Sequence, residues 1–270
     1  MRMSRGTEKK SVVIALCGKG GVGKTTLSAS IVRALSRDPG NRVLAIDADP
    51  AVGLATALGV TVRKTVDDVR NDFIELVKKR QAGDRERVIS LLDYEMLGAL
   101  HEEGNIAFLA IGRPETEGCY CQVNDMLKDI IASITGNFDY TVIDAEAGVE
   151  QVNRRVLEKV THLLLVSDLS AKGLNVAKTI REVAASAVGF ERAGLIINRA
   201  RSASEVDSVA LPESLELLGA VPEDETIRRA DMDAVSFLAL PETPAFGALE
   251  QCLEKIGVAA KGSCAAGQGA

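Results

Sequence analysis

Tryptophan is missing from this chain, and only three tyrosines and six phenylalanines are present. Proteins that hold single-stranded nucleic acid use aromatic rings to stack bases, and tracking a phosphate backbone takes a basic face. With 38 acidic against 32 basic residues and a net charge of −6, the sequence offers neither, so no nucleic-acid partner is expected. No apolar run reaches the roughly 18 residues that suggest a membrane span, and no membrane partner is expected either. The opening MRMSRGTEKK is charged, but the apolar run SVVIALC after it is short and leads into glycines and lysine, unlike an export signal. A cytoplasmic, reducing location follows as an expectation, and there paired thiols suggest metal or redox chemistry ahead of disulfides. Histidine is scarce too. His101 and His162 have no ligand-like spacing, and His162, which opens an apolar run, reads as structural.

What the sequence does have is alternation. Short β-branched apolar runs, at 11–17, 42–47, 106–111, 140–144, 162–167 and 194–198, are separated by longer helical patterns such as 25–37, 122–134 and 171–186. Continuously apolar strands are buried on both faces, and strands that alternate with helices make a mostly parallel sheet. The expected fold is α/β, a mostly parallel central sheet flanked by helices. A single domain over 11–256 is expected, with a helical insertion near 65–103. A flexible segment 1–10 precedes it, and a small-residue tail 257–270, GVAAKGSCAAGQGA, follows.

Directly after the first run comes GKGGVGKTT, residues 18–26. It matches the phosphate-loop pattern G-x-x-x-x-G-K-[ST] through Gly18, Gly23, Lys24 and Thr25. Glycines let backbone amides turn inward onto a polyphosphate, and the helix that follows adds its N-terminal dipole. In such a loop Gly20, Gly21, Val22, Gly23 and Thr26 surround the phosphates, Lys24 reaches the β- and γ-phosphates, and the Thr25 hydroxyl binds Mg2+. The same residues also spell G-x-G-x-x-G through Gly18, Gly20 and Gly23, with Asp47 placed where a ribose-binding acid sits in dinucleotide folds. That competing motif does not call for Lys-Thr after its third glycine.

Lys19 is surplus to a loop already served by Lys24, and by itself it could be a solvated charge. Taken with the full string KGGVGKTT, it resembles the signature lysine of the deviant Walker-A family of MinD, ParA and nitrogenase iron protein. The resemblance implies an ATPase in which Lys19 reaches the partner's nucleotide across a nucleotide-dependent homodimer, as an arginine finger does. It makes DADP (47–50) a first switch, in which Asp49 orients the attacking water and Asp47 helps hold hydrated Mg2+. DAEAG (144–148) resembles the second switch, with Asp144 as the Walker-B carboxylate and Gly148 near the γ-phosphate. Asn198 and the string VPEDE, with Pro222, Glu223 and Asp224, resemble the family's purine pocket. The lack of an N-K-x-D guanine motif there favours ATP over GTP.

Of five cysteines, Cys17 and Cys252 are expected to pack in the core, and Cys264 in the tail has no assigned role. Cys119 and Cys121, in EGCYCQVN, stand apart. If that piece is extended, residues two apart point to one side, and the helical pattern that follows favours thiolates. Two sulfurs cannot complete a tetrahedral site, but a two-fold interface presents the pair twice. Inert packing or redox chemistry are the other readings, and a disulfide between such close residues is strained. GRPETEGCYCQVN beside the deviant loop and D-x-E-A-G-x-E (144–150) closely resembles the CooC-type nickel-insertion ATPases, the accessory proteins that mature carbon monoxide dehydrogenase or acetyl-CoA synthase. The resemblance implies Ni2+ or Zn2+ held by Cys119 and Cys121 between two subunits, and a client nickel enzyme. It also leads to a histidine after Glu150, where this chain has Gln151, and that departure bears on which client is served. Two other classes share the loop. A MinD/ParA-like positioning ATPase should carry a membrane helix or a DNA-binding face, and the tail supplies neither. An iron–sulfur ATPase related to nitrogenase iron protein needs cluster cysteines in two segments, and none lies near DAEAGVE. A cluster shared through the C-x-C pair alone stays open.

Overall fold

A computed structural model of the chain describes residues 11–78, 85–113, 121–145, 156, 159–187 and 189–258. Among the described residues eight strands form one sheet: β1 (Val12–Gly18), β2 (Val43–Asp47), β3 (His101–Glu103), β4 (Ile106–Ala110), β5 (Tyr140–Asp144), β6 (His162–Ser167), β7 (Arg192–Ala200) and β8 (Leu217–Pro222). Their order across the sheet is β3-β4-β2-β5-β1-β6-β7-β8. All neighbours run parallel except β3, which pairs antiparallel to β4 at the edge. The described helices are α1 (Lys24–Ser36), α2 (Gly53–Leu58), α3 (Val66–Lys78), α4 (Arg85–Ala99), α5 (Cys121–Thr135), α6 (Ala171–Ala187), α7 (Ala203–Asp207), α8 (Glu225–Met232) and α9 (Pro244–Lys255).

The apolar runs become central strands because each must fill two cores at once. In β1, Val13, Ala15 and Cys17 point into one cluster, while Ile14 and Leu16 point into the other. β2 divides the same way, Leu44 and Ile46 against Val43 and Ala45. This two-sided burial is what a parallel sheet demands. Helices α3, α4, α5 and α6 cover the first face, through residues such as Val69, Met96, Leu127 and Ala177. α1, α2, α8 and α9 cover the second, through Leu27, Leu54, Ile227 and Phe246. The two remaining cysteines of the described core, Cys17 and Cys252, are both buried, and burial pushes the Cys252 thiol up to about 11.

Two local expectations need correction. The stretch 65–103 is not helical to its end, since its last three residues form β3. A three-residue edge strand carries too little pattern to be read, and its residues are mostly exposed. The C-x-C piece is not wholly extended either, because Cys121 is the first residue of α5. Cys119 and the side chain of Cys121 lie outside the described residues. Among the described residues, no helix is long and apolar enough to cross a membrane.

Parallel β-α-β connections put the strand ends on a common edge. Asp47 of β2 lies opposite Asp144 of β5, and Asp144 lies opposite Leu16 of β1. The loop after β1, the first acidic string and the start of the second thus converge at the carboxyl edge of the central strands. Ligands of open α/β sheets bind at such edges.

Candidate nucleotide-binding site

The loop is built on glycines for two distinct reasons. At Gly18 a Cβ would lie 2.2 Å from the Val166 carbonyl oxygen, so β1 can approach β6 only without a side chain. Gly21 and Gly23 have φ of 81° and 90°, in the left-handed region that favours glycine. Gly23 then serves as the N-cap of α1, its carbonyl accepting from Leu27 N at 3.0 Å. A Cβ on Gly23 would also meet Asn198 Nδ2 at 2.4 Å. Lys24 is buried, and its ammonium lies back along the loop, 3.4 Å from the Lys19 carbonyl oxygen.

Beneath the loop sit two buried carboxylates. Ser28 donates to Asp144 Oδ1 at 3.0 Å, while Asp144 Oδ2 is buried and lacks a protein hydrogen bond of normal geometry. Burial pushes the Asp144 carboxyl up to about 6, against the lowering effect of the Thr25 and Ser28 hydroxyls and the Lys24 charge. Asp47 is fully buried and accepts from Asp49 N at 3.1 Å and Leu54 N at 2.8 Å, so it holds both the turn after β2 and the start of α2. Burial first, and the Asp144 charge second, push Asp47 up to about 7. Asp49 stands further out, its Oδ1 accepting from Ala51 N at 2.8 Å.

Two carboxylates that repel in a low-dielectric site, an orphaned oxygen and a nearby threonine hydroxyl fit Mg2+. This small hard ion takes oxygen ligands, usually from only one or two protein carboxylates, with phosphates and water completing the octahedron. The described residues contain no group of three or more His, Cys, Asp or Glu side chains that could hold a metal.

Beside the loop a cavity of about 190 Å³ is lined by Thr26, Asn198, Pro222, Glu223 and Asp224 among others. Asn198 Nδ2 donates to the Val22 carbonyl at 2.8 Å and is buried, so part of this side chain ties the cavity to the phosphate loop. Asp224 caps α8, accepting from Thr226 N and Ile227 N at 3.0 and 3.2 Å. Its carboxylate therefore has a structural duty as well as a place in the cavity wall.

Sequence reasoning missed three residues here. Arg199, also in the cavity wall, adopts φ of 58° and donates from Nη1 to the Gly21 carbonyl at 3.3 Å. Asp168 receives Lys19, whose Nζ lies 4.0 Å from Oδ2 with both side chains partly exposed. Asp168 is held below the usual carboxylate range chiefly by the Ser170 hydroxyl. Ser28, one turn into α1, is the third. Its spacing after Lys24 offered a signal, whereas Arg199 and Asp168 are remote in sequence and carry none. Gly148 lies outside the described residues.

The CobQ/CobB/MinD/ParA nucleotide-binding domain family matches residues 13–237. An uncharacterized ATP-binding protein of Methanocaldococcus jannaschii is 34% identical over 91% of this chain and 98% of its own length. The carbon monoxide dehydrogenase accessory protein CooC of Rhodospirillum rubrum is 30% identical over 83% of this chain and 88% of its own. Among solved structures, the MinD–Mg-ADP complex of Pyrococcus horikoshii superposes with a TM-score of 0.63 at 22% identity, over 92% of this chain and 96% of that one. A ParA-family ATPase of Chlorobium tepidum gives 0.64 at 21% identity, over 90% and 97%. These two structures share the fold.

Proposed function

The chain belongs to the CobQ/CobB/MinD/ParA nucleotide-binding family, and from that premise we propose a Mg2+-dependent, ATP-hydrolysing metallochaperone that works as a nucleotide-dependent homodimer. Its cargo is Ni2+ or Zn2+, held by Cys119 and Cys121 of each subunit, and its client is a nickel enzyme of the carbon monoxide dehydrogenase or acetyl-CoA synthase type. Its place is the cytoplasm. The observation that carries this reading is the placement of Cys121. It opens α5, the helix that follows β4, and β4 ends at Ala110 opposite Asp47. The chain therefore leaves β4, ahead of this helix, at the edge where the phosphate loop and the buried carboxylates gather. The likeness to the Rhodospirillum protein, named as a carbon monoxide dehydrogenase accessory protein, supports the choice of client.

In this cycle the amides of Gly20, Gly21, Val22 and Gly23 receive the phosphates, with Lys24 and Thr26 beside them. Thr25, Asp144 and Asp47 would hold Mg2+ directly or through water, where it would supply positive charge against that developing on the phosphates. Asp49 orients the attacking water, and hydrolysis gives ADP and phosphate. Lys19 leaves Asp168 and reaches the nucleotide of the second copy, with Gly148 near the γ-phosphate. Asn198, Pro222, Glu223 and Asp224 receive the adenine. Loss of the γ-phosphate contacts relaxes the switches and the dimer, and with them the shared thiol site. Linkage requires that nucleotide and cargo change each other's affinity by the same factor.

Equilibrium dialysis with nickel and with zinc, combined with light scattering, tests the reading with and without ATP. The expected result is one ion per two chains, lost in Cys119→Ser and in Cys121→Ser. Undiminished binding in either variant, or binding by a strict monomer, overturns the shared site. Stoichiometric iron and visible colour in anaerobically prepared protein would point instead to a cluster carrier.

A further inference from the structure

Helix α3 grips the chain on both sides of the segment that carries the thiols. On the near side, Ile111 accepts from Asp67 N at 2.9 Å, and Gly112 turns with φ of 85° hard against Thr65. A Cβ on Gly112 would lie 2.6 Å from Thr65 Oγ1. Thr65 itself forms a capping box with Asp68, the Asp68 amide donating to Thr65 Oγ1 at 3.1 Å and the Thr65 amide to Asp68 Oδ2 at 2.8 Å. Such a box fixes the start of a helix. On the far side, one turn along α3, the buried Arg70 donates from Nε to Asn124 Oδ1 at 2.8 Å. Asn124 lies in the first turn of α5, three residues after Cys121.

The same helix is wired to the nucleotide edge. Asp47, which holds the turn of Asp49 and the start of α2, accepts on its backbone carbonyl from Ile111 N at 2.8 Å. A continuous line of short hydrogen bonds thus runs from Asp47 through Ile111 to Asp67, and along one helical turn to Arg70 and Asn124. A packed helix that shifts as a rigid unit would carry a displacement at Asp47 to the far end of such a line.

We propose that Arg70 is a positioning residue which, through Asn124, couples the nucleotide state at Asp47 and Asp49 to the first turn of α5. Its consequence for the cargo rests on the metallochaperone reading, because Cys121 opens that turn. A guanidinium suits the task, since its planar, always charged fork fixes direction as well as distance.

Hydrogen exchange on the full chain, with and without Mg2+ and a slowly hydrolysed ATP analogue, tests the coupling. In the native protein the analogue should change exchange at the first amides of 121–135. Arg70→Ala and Asn124→Ala should each bind the analogue within about 2-fold of the native protein, a margin of a few tenths of a kcal/mol, yet lose that change. The double variant should behave as either single one, as members of one contact do. Asn124→Asp, which keeps an acceptor for Arg70, should retain the response, an outcome that mere loosening of the fold does not give. Where nickel binds, its affinity ratio with and without analogue, expected at about 5- to 150-fold for a typical coupling, should fall towards one in both alanine variants.

A native protein whose 121–135 amides ignore the nucleotide overturns the inference, and so does a full response in Arg70→Ala and Asn124→Ala. A native protein that responds in exchange but binds neither nickel nor zinc overturns the metal reading alone.

Discussion

Two lysines five residues apart in one loop face opposite ways. Lys24 is buried with its ammonium along the loop, whereas Lys19 is partly exposed and turned onto Asp168 of its own chain. That difference separates the effects expected of their removal. On the proposed role, Lys24→Ala would remove charge-assisted bonds to phosphate, each of about 1.5–3 kcal/mol, and should weaken ATP binding at least about 10-fold. Lys19→Ala should leave binding nearly unchanged while phosphate release falls by about 1,000-fold, the scale of a lost arginine finger. Calorimetric titration with an ATP analogue and a phosphate-release assay check the pair, and a normally active Lys19→Ala protein removes the trans role. Lys19 was legible as an extra charge in GKGGVGKTT because motif positions are local. Its resting partner was not, because Asp168 lies beyond β6 and meets Lys19 only when β1 and β6 pair.

Among the elements, α1 shows how the nucleotide loop is braced from behind. Arg33, on its last turn, is buried, donates to the Leu240 carbonyl at 2.9 Å and to Glu242 at 2.7 Å, and stacks 4.1 Å over the Phe246 ring of α9. Its Nε and Nη1 are buried without a hydrogen bond, so the side chain joins two helices while carrying a desolvation penalty. Arg33→Ala removes the packing, the carbonyl bond and the ring contact, and should destabilise by about 2–4 kcal/mol. Arg33→Met keeps volume without a buried charge and should cost less. Urea unfolding distinguishes them, and equal losses in both variants refute the packing account. From sequence, α1, α5 and α6 were readable almost to the residue, since their apolar spacing repeats over three or more turns. The edge strand β3, three residues long, has no such repeat. The helix start at Cys121 is not legible in the sequence either, because the apolar pattern begins after it.

For the molecule as a whole, the two buried carboxylates set an unusual pH dependence. Asp47 and Asp144 are raised from 3.8 to about 7 and about 6. Between about pH 4 and pH 7 the nucleotide-free folded chain therefore holds more protons at these groups than the unfolded chain. Their contribution to stability falls as pH rises through that window, by at most about 1.4 kcal/mol per pH unit for each carboxyl. His162, whose burial lowers its pKa, acts oppositely near the top of the window, one proton against two. The melting temperature without metal or nucleotide should be higher at pH 5 than at pH 7. On the proposed Mg2+ site, adding Mg2+ with an ATP analogue should favour the ionised carboxylates and shrink or reverse the difference. A melting temperature that rises from pH 5 to pH 7 without ligands contradicts the buried pair.

By itself the sequence determined the alternating α/β plan, the phosphate loop and the acids at the strand ends, because each is written in contiguous residues with a fixed period or spacing. Tertiary structure alone decided the rest. It left Asp144 Oδ2 unpartnered beside Thr25, placed Arg199 on the Gly21 carbonyl and joined Arg70 to Asn124 across 54 positions of chain. Contacts of that kind follow from the order in which strands assemble and from which face each helix covers, and no local pattern of residues encodes either.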